Sequence, residues 1–474
     1  MKFEKLNDVE FYVLENNPHK IFAEFPVMSE ADSKSDIMKL VDVDSAAFKS
    51  YLRLIVLPEL DEDVSANEFV QYIKDYFFLY GNDDIISVKV RTAGTLKAGI
   101  VEYALYNKPH EFIQITKDGY RIVQKSVHKF IQQDTNASQI YPIHTTQNLF
   151  QLLSAYVSAT KDMLILFVVW LVQSFCEGNH SALLIMADAG CGKSTITKFV
   201  RRILDPSRLG ANFMSNKTEN LLTTLTNSYV VAFDNATEMS KMESDILCVA
   251  VTGGTYAKRE AYTTNELAIY DLHNTIIING INIIPSQSDF AQRCLCLQLR
   301  QIEEHDRTTE SELEAKFNND LPQILGSIFD TISKAIPIAE KLNPKRKPRM
   351  VDSYIEMLAI AEALDVSEEA FERIYFANID LMSKLRANTD LVFAVKEYMN
   401  KQVQGRSCEG TVSEMYSKIR SHYSGNKFAL PNSAAHFSQK LKSEYAALLA
   451  AGYVLNVDDT HADGTYVKII KRKK

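Results

Sequence analysis

The stretch Leu183–Val200 reads Leu-Leu-Ile-Met-Ala-Asp-Ala-Gly-Cys-Gly-Lys-Ser-Thr-Ile-Thr-Lys-Phe-Val. It begins with an apolar run typical of a buried strand, continues through a glycine-rich turn and ends with the first turns of a helix. In this order the backbone N–H groups of the turn can surround phosphate groups at the positive end of the helix. Lys193 is then placed to reach the β- and γ-phosphates, and Ser194 to ligate Mg²⁺. The stretch therefore predicts a nucleoside triphosphate site, with ATP and Mg²⁺ as its expected ligands.

The predicted phosphate-binding residues are Ala187, Asp188, Ala189, Gly190, Cys191, Gly192, Lys193, Ser194 and Thr195. Ala187 stands where the pattern has its first glycine, so the turn carries a Cβ at that position. The two glycines nearest to the phosphates, Gly190 and Gly192, are present. A chance Gly-Lys-Ser turn is the alternative interpretation, and the strand before the turn and the helix after it argue against that alternative.

A second apolar run, Val-Val-Ala-Phe-Asp, ends in the carboxylate Asp234. At this distance after a phosphate loop the pattern is typical of a Walker B strand, and Asp234 is predicted to hold Mg²⁺ beside Ser194. Asn235 follows, where many ATPases have the acid that orients the attacking water. Three interpretations remain open: a carboxylate elsewhere, such as Glu238, takes that role, Asn235 positions the water as a neutral group, or hydrolysis is slow.

Two further residues are predicted to act on the nucleotide together with Lys193 and Asp234. Asn279 ends another apolar strand, and a polar residue at such a strand tip can contact the γ-phosphate or the water; a turn asparagine before Gly280 is the alternative. Arg293 precedes an alternating apolar run, where a cation can reach the nucleotide of a neighbouring subunit. The alternative for Arg293 is a surface salt bridge.

The order of elements predicts a multidomain α/β protein. The chain has 474 residues, more than one hydrophobic core usually organises. Apolar strands alternate with helices around Leu183–Asn279, which predicts a parallel sheet covered on both faces. We predict a small α+β domain at residues 1–140, an ATPase core with preceding helices at 141–345 and a helical linker or lid at 346–388. Three helices and two strands at residues 389–474 are typical of a winged helix.

Composition indicates a cytoplasmic protein that does not cross a membrane. The six cysteines form no Cys-x-x-Cys pair and no apolar leader opens the chain, as expected in a reducing compartment. The long apolar run, Met163–Phe175, falls short of the roughly 20 residues that a bilayer crossing requires. We expect it to form a buried helix beside the nucleotide site.

Charge is unevenly distributed along the chain. Residues 390–474 contain 13 Lys and Arg against 8 Asp and Glu, whereas residues 1–100 contain 11 against 18. The predicted recognition helix Ala434–Tyr445 carries Lys440 and Lys442, which suit contacts with DNA phosphates. A solvated helix face or a protein-docking winged helix is the alternative interpretation.

These motifs, with the segments Thr-Gly-Gly-Thr-Tyr-Ala-Lys-Arg-Glu and Asp-Phe-Ala-Gln-Arg, resemble AAA+ helicases of the superfamily-three and minichromosome-maintenance type. The nearest likeness is to replication initiator helicases of phages, plasmids and bacterial genomic islands. The resemblance implies an AAA+ core and a ring, commonly a hexamer, that moves DNA through its pore. It also implies a pore hairpin at Tyr256–Asp271 with Lys258 and Arg259 at its base and Thr264 and Asn265 near its tip. The tip lacks the Lys or Arg that such a hairpin is expected to carry.

The leading hypothesis is therefore an ATP-hydrolysing ring helicase or initiator that translocates on and unwinds DNA during replication of a mobile element. Its expected partner is single-stranded or forked DNA, or an origin duplex. A second hypothesis is an AAA+ ATPase that remodels or regulates protein partners, which the acidic N-terminal region and the neutral hairpin tip favour. A third, in which a primase is joined to the helicase, depends only on Asp42-Val43-Asp44.

Overall fold

The structure is a computed structural model. It describes residue 6 and residues 8–472, except residues 16, 29–33, 60–63, 82–83, 109, 134, 189, 213, 215–216, 237–238, 260–266, 281–287, 387–389, 402–406, 426, 428–429 and 459–464.

The first part of the chain is a mixed sheet with helices on one side. Its elements are β1 (Glu10–Leu14), β2 (Asn17–Met28), β3 (Lys34–Asp42), α1 (Ala46–Tyr51), a π-helical turn (Leu52–Val56), a 3₁₀ turn (Leu57–Glu59), α2 (Ala66–Tyr80) and β4 (Ile85–Ile86). The strand order is β3-β2-β1-β4. The sequence predicts helices at Ser45–Leu57 and Ala66–Tyr80, but it missed β1–β3. In β2 the successive residues Ile21, Phe22 and Ala23 are all buried, so the two-residue alternation that reveals a half-exposed strand is absent.

A second sheet, which is antiparallel, and a separate parallel pair of short strands follow. The strands are β5 (Val88–Lys89), β6 (Thr92–Ala93), β7 (Ile100–Ala104), β8 (Phe112–Thr116), β9 (Gly119–Val123) and β10 (Lys129–Phe130). Strands β6-β7-β8-β9 form the sheet in that order, and β5 pairs with β10. The sequence Lys117-Asp118-Gly119 predicts a hairpin turn, and the pairing of Thr116 with Gly119 across it confirms that prediction.

Two helices then lead to the central sheet: α3 (Leu149–Ser154) and α4 (Lys161–Gln173). Every residue of α4 from Ile165 to Gln173 is buried, which confirms the buried helix expected from the apolar run. Within the described residues, no helix has the length and apolar character needed to span a membrane.

The central sheet is entirely parallel. Its region contains β11 (Ala182–Met186), α5 (Lys193–Leu204), α6 (Thr218–Thr226), β12 (Val230–Phe233), α7 (Lys241–Thr252), β13 (Gly254–Arg259), β14 (Leu267–Leu272), β15 (Thr275–Gly280), α8 (Ser288–Ala291) and β16 (Cys294–Gln298). The strand order is β12-β15-β11-β16, with all neighbours parallel. Strands β13 and β14 form a separate antiparallel hairpin.

Helices cover both faces of this sheet, as predicted. Alternate residues of β11 belong to different hydrophobic clusters: Leu183 and Ile185 pack with α4, α5 and the long helix that follows the sheet. Ala182, Leu184 and Met186 pack with α6, α7 and α8 on the other face. The parallel strands are therefore buried on both sides, which explains why they read as continuous apolar runs.

Three long helices follow the sheet: α9 (Glu310–Ala339), α10 (Val351–Ala363) and α11 (Glu368–Arg386), with a 3₁₀ turn at Glu304–Asp306 before them. The amphipathic pattern of Val351–Ala387 predicts one continuous helix, which is wrong. The chain turns between α10 and α11, where Asp365 has a φ of 62° that ends the right-handed helix.

The last part of the chain has its own hydrophobic cluster. Its elements are α12 (Asp390–Lys401), β17 (Ser407–Thr411), α13 (Val412–His422), α14 (Ala434–Ser443), α15 (Tyr445–Ala450), β18 (Tyr453–Asp458) and β19 (Tyr466–Lys471). The sequence missed β17, whose Ser-Cys-Glu-Gly-Thr lacks an apolar alternation. Its pattern over Ala434–Ala451 predicts one helix, where the structure has α14 and α15. The three strands form a sheet in the order β17-β19-β18.

The molecule is thus a mixed α/β multidomain protein built around a parallel sheet. Strand residues Val101, Ile113 and Ile115 share a hydrophobic cluster with α4 and the central sheet. Residues 6–73, in contrast, contain a cluster of their own. The predicted boundary at residue 140 remains a prediction.

Candidate functional site

The loop at residues 187–192 joins the carboxyl end of β11 to α5. Gly190 has a φ of 79° and Gly192 a φ of 78°, left-handed values that glycine adopts without steric cost. Gly192 is the N-cap of α5, and it has no side chain with which to cap the first N–H groups of the helix. The loop therefore leaves the positive end of a twelve-residue helix available to an anion. Ala189 lies outside the described residues.

Lys193 lies across this loop rather than in solvent. Its side chain is largely buried, with 8% of the residue exposed. The Nζ atom donates to the carbonyl oxygens of Ala187, at 2.8 Å, and Asp188, at 2.7 Å. The ammonium group is thus held over the loop by two neutral acceptors, which a more strongly charged acceptor could replace.

Ser194 and Asp234 come together at the carboxyl edge of the sheet. Ser194 Oγ donates to Asp234 Oδ1 at 3.0 Å, although the two residues are forty positions apart in the sequence. Ser194 is in the first turn of α5, and Asp234 directly follows β12. The structure therefore joins the two residues that were predicted to share a Mg²⁺ ion.

Asn279 connects α5 to the segment that follows β12. The side chain is fully buried. Its Nδ2 donates to Thr197 Oγ1 at 2.7 Å, and its Oδ1 accepts from the backbone N–H of Asn235 at 3.1 Å. Its backbone carbonyl also accepts from the N–H of Ala236, at 3.0 Å. These bonds engage both polar atoms of the Asn279 amide within the protein, so its direct contact with a nucleotide stays a prediction.

Sequence reasoning missed Thr197. Its hydroxyl donates to the Lys193 carbonyl at 2.9 Å and accepts from Asn279. The residue lies one helical turn after Lys193, on the face of α5 that packs on the sheet, and that spacing is the signal that could have identified it.

Asn235 has a φ of 52°, a left-handed conformation that asparagine tolerates. Glu238 lies outside the described residues.

Arg293 lies at the opposite, amino edge of the sheet. It directly precedes β16, whose first residue Cys294 pairs with Ala182, the first residue of β11. Five strand residues separate this edge from the loop, or roughly 16 Å. The structure therefore does not bring Arg293 to Lys193 within one chain.

Arg293 is engaged in contacts at its own edge. Its Nη1 atom contacts the Asp289 carboxylate, donates to the Asp289 carbonyl at 3.0 Å and lies 3.6 Å from Cys248 Sγ. Burial raises the pKa of Asp289, but the hydrogen bond and charge of Arg293, together with Cys248 and the charge of Arg349, outweigh it, so the net pKa is lower than usual. Burial also raises the pKa of the Cys248 thiol to about 11. The ion pair considered as the alternative for Arg293 is present, and its action on a neighbouring nucleotide stays a prediction.

The predicted DNA-binding residues are dispersed. Lys258, on β13, forms an ion pair with Glu219 on α6, and Arg259 is the last residue of the same strand. Thr264 and Asn265 lie outside the described residues. Lys440 and Lys442 are both in the last turn of α14, and Lys442 is exposed.

Sequence reasoning also missed a buried ion pair at the far end of α5. Arg91 Nε donates to Asp205 Oδ1 at 2.8 Å, and their side chains are 0% and 1% exposed. Arg91 further donates to the carbonyl oxygens of Ala104, Ala137 and Pro206. The helix that begins at the loop is therefore fixed at its carboxyl end to the segment around β6 and β7.

Among the described residues, no group of three or more His, Cys, Asp and Glu side chains is arranged to hold a metal ion. The oxygens that the structure brings together beside the loop are Ser194 Oγ and Asp234 Oδ1.

Comparison with protein families gives one match. Residues 148–369 match the family of the actinomycete integrative conjugative element replication protein. The match extends from just before α3 to the start of α11, and so includes the loop, Asp234, Asn279 and Arg293. The resemblance to replication proteins of mobile elements is confirmed over this segment. A search of curated proteins finds no match to the chain.

Solved structures similar to this chain include the following two. The structure described as "SCCmec type IV Cch - active helicase" is 13% identical with a TM-score of 0.42, and the match covers 98% of this chain and 92% of that one. The apo structure of the NrS-1 C-terminal region is 11% identical with a TM-score of 0.37, and the match covers 99% of this chain and 98% of that one.

Proposed function

We propose that this protein is an ATP-hydrolysing helicase or initiator that translocates on DNA and unwinds it during replication of a mobile genetic element. The observation that carries the proposal is the contact between Ser194 and Asp234 at the N-terminus of α5, next to Lys193. It occurs within the segment that matches a replication protein of integrative conjugative elements. In this proposal residues 141–345 are an AAA+ P-loop core and residues 389–474 a winged helix.

The residues of the loop fit a nucleoside triphosphate. The left-handed Gly190 and Gly192 direct the chain around the N-terminus of α5, whose N–H groups suit phosphate oxygens. Lys193 would exchange the carbonyls of Ala187 and Asp188 for the β- and γ-phosphates, replacing neutral acceptors with charged ones. Cys191 and Thr195 complete the segment that would surround the phosphates.

Ser194 and Asp234 are the residues that would hold Mg²⁺. Mg²⁺ prefers oxygen ligands and keeps several waters, so one hydroxyl and one carboxylate beside the phosphates suit it. When bound, the ion would neutralise charge on the β- and γ-phosphates. Asn279 holds the segment after Asp234 against α5, and so keeps the two ligands at a fixed separation.

Arg293 fits a role between subunits. Because it lies at the amino edge of the sheet, it can act only on the nucleotide of another copy, as in a ring such as a hexamer. There its guanidinium would stabilise the charge that develops on the transferred phosphoryl group. A homo-oligomer is therefore part of the proposal.

DNA would be contacted by the winged helix and the hairpin. Lys440 and Lys442 would contact phosphates from α14. Lys258 and Arg259 are the last residues of β13, next to the segment that connects the two strands, and not at the base of the β13–β14 hairpin as predicted. Thr264 and Asn265 belong to the same proposal through their position in the sequence between β13 and β14. We propose the cytoplasm as the place of this activity.

The test is unwinding of forked DNA by the purified protein with ATP and Mg²⁺. We expect wild type to hydrolyse ATP and separate the strands, and Lys193→Ala to lose both activities by at least roughly a hundredfold, because phosphate binding is removed. The matched control is Lys198→Ala on the same helix, which removes an exposed lysine paired with Glu314 and is expected to retain activity. Wild-type hydrolysis without unwinding under any loading condition would contradict the helicase proposal.

A second function is supported by one contact. Lys258 forms an ion pair with Glu219 of its own chain and is therefore less available to a DNA phosphate. This contact suits an AAA+ ATPase that acts on protein partners without helicase activity. Stimulation of hydrolysis by single-stranded DNA would favour the helicase over this alternative.

A further inference from the structure

A second arginine shares the carboxylate that holds Arg293. Asp289 Oδ2 contacts Arg293 Nη1, and Asp289 Oδ1 contacts Arg349 Nη2. Arg349 lies in the segment between α9 and α10, nearly sixty residues after Arg293 in the sequence. Its Nη1 also donates to Gln292 Oε1 at 2.8 Å. Asp289, Gln292, Arg293 and Arg349 thus form one arginine cluster at the amino edge of the sheet.

The two arginines differ in exposure. The Arg293 side chain is 15% exposed, whereas that of Arg349 is 41% exposed. Two guanidinium groups share one carboxylate, so the cluster carries a net positive charge. In the part of the chain that the structure describes, Arg293 Nε is buried without a hydrogen-bond partner. An anion that approaches this edge would therefore meet Arg349 first and supply acceptors that the cluster lacks.

We propose that Arg349 is a second catalytic arginine, which acts with Arg293 on the nucleotide bound by a neighbouring copy of the chain, and that Asp289 positions both. This inference depends on the proposed ATPase function. Charge on a transferred phosphoryl group is spread over several oxygens, so two cations held at a fixed separation can share it. Asp289 keeps both guanidinium groups at this edge until the phosphates of the neighbour compete for them.

The experiment measures ATP hydrolysis and ATP affinity of full-length variants. Arg349→Ala is expected to lower kcat at least roughly tenfold while the Kd for ATP changes less than about twofold, because the lost contact is made across the subunit interface. Arg349→Lys is expected to recover part of kcat, since it retains the charge but not the planar donors. The control is Arg373→Ala, which removes an exposed arginine paired with Asp162 and is expected to leave kcat unchanged.

Subunit mixing separates this role from a structural one. Lys193→Ala subunits retain Arg349 but cannot bind phosphate, so adding them to Arg349→Ala subunits is expected to restore hydrolysis. Asp289→Asn is expected to lower kcat with unchanged ATP affinity and to be rescued by the same mixing, because it acts through the arginines of its own chain. Thermal unfolding of each variant confirms that it is folded.

Two results would overturn the inference: wild-type kcat for Arg349→Ala, or a lowered kcat that Lys193→Ala subunits do not restore. Both leave the ATPase proposal intact, since wild type remains active. Absence of ATP hydrolysis by wild type would overturn the proposed function and this inference with it.

Discussion

Asn279 shows how a single residue organises the proposed nucleotide site. It is bonded to Thr197 on α5 and to the backbone after Asp234, so it fixes the relative position of the elements that carry Ser194 and Asp234. A buried amide that uses both its donor and its acceptor costs free energy when either partner is removed. Asn279 thus acts on the site by holding the elements that carry Ser194 and Asp234 in place.

We predict that Asn279→Asp lowers the free energy of unfolding by about 1–3 kcal/mol. A carboxylate still accepts from the Asn235 N–H, but it cannot donate to Thr197 Oγ1. Denaturant unfolding measures the change, with Thr197→Val as the partner in a double-mutant cycle. We expect a coupling energy of roughly 1 kcal/mol between the two sites; additive effects would contradict the bond.

Among the elements, β7 is joined to the loop before β10 by one buried carboxylate. Glu102 accepts from the backbone N–H groups of Val127 and His128, at 3.1 and 3.2 Å. It also contacts Ser126 Oγ and His128 Nδ1, and Gln114 donates to it at 3.1 Å. Burial raises the pKa of Glu102, yet the hydrogen bonds from Ser126, His128, the Val127 backbone and Gln114 together outweigh it, so the net pKa is lowered.

This arrangement predicts a pH-dependent contribution to stability. Because the folded pKa lies below the ordinary value of 4.5, the ionised Glu102 stabilises the fold above pH 4.5 and loses this effect as the pH falls through the lowered pKa. Glu102→Gln is expected to cost about 2–3 kcal/mol at neutral pH, because its amide N–H₂ would face backbone donors. The difference in free energy of unfolding between wild type and Glu102→Gln should shrink below pH 4.5.

Urea unfolding at several pH values measures this contribution, with the exposed Glu303→Gln as a control. If the free energies of unfolding of wild type and Glu102→Gln differed by a constant amount from neutral pH to pH 3, the charge of Glu102 would not contribute to stability.

At the scale of the whole molecule, basic charge is concentrated in residues 390–474, within a chain of net charge −8. If these residues bind DNA, counterion release makes the affinity fall with salt in proportion to the phosphates contacted. Residues 1–389 contain 39 Lys and Arg against 52 Asp and Glu, so bulk charge alone would not hold this part of the chain on DNA.

We predict that the double variant Lys440→Ala and Lys442→Ala weakens DNA binding equally for all sequences and lowers the slope of log affinity against log salt by roughly 2. Fluorescence anisotropy at a series of salt concentrations measures it. Lys418→Ala on α13 removes an exposed charge from the same region and controls for net charge. An unchanged slope in the double variant would remove α14 from the DNA interface.

The sequence by itself determined the loop, α5, the apolar parallel strands and the carboxylate Asp234, because these features depend on neighbours within a few residues. Apolar periodicity, glycine in left-handed turns and an acid at a strand end are local properties of the chain. It did not reveal β1–β3 or β17, since these strands show neither a regular two-residue alternation nor a long continuous apolar run.

Only the tertiary structure decided which distant residues meet. It joined Thr197 to Asn279, fixed the end of α5 through Arg91 and Asp205, and assigned Arg293 to the edge opposite Lys193. These pairings follow from strand order and helix packing, which bring together residues forty or more positions apart. Local sequence preferences contain no record of them, because their free energy arises only when the whole sheet has formed.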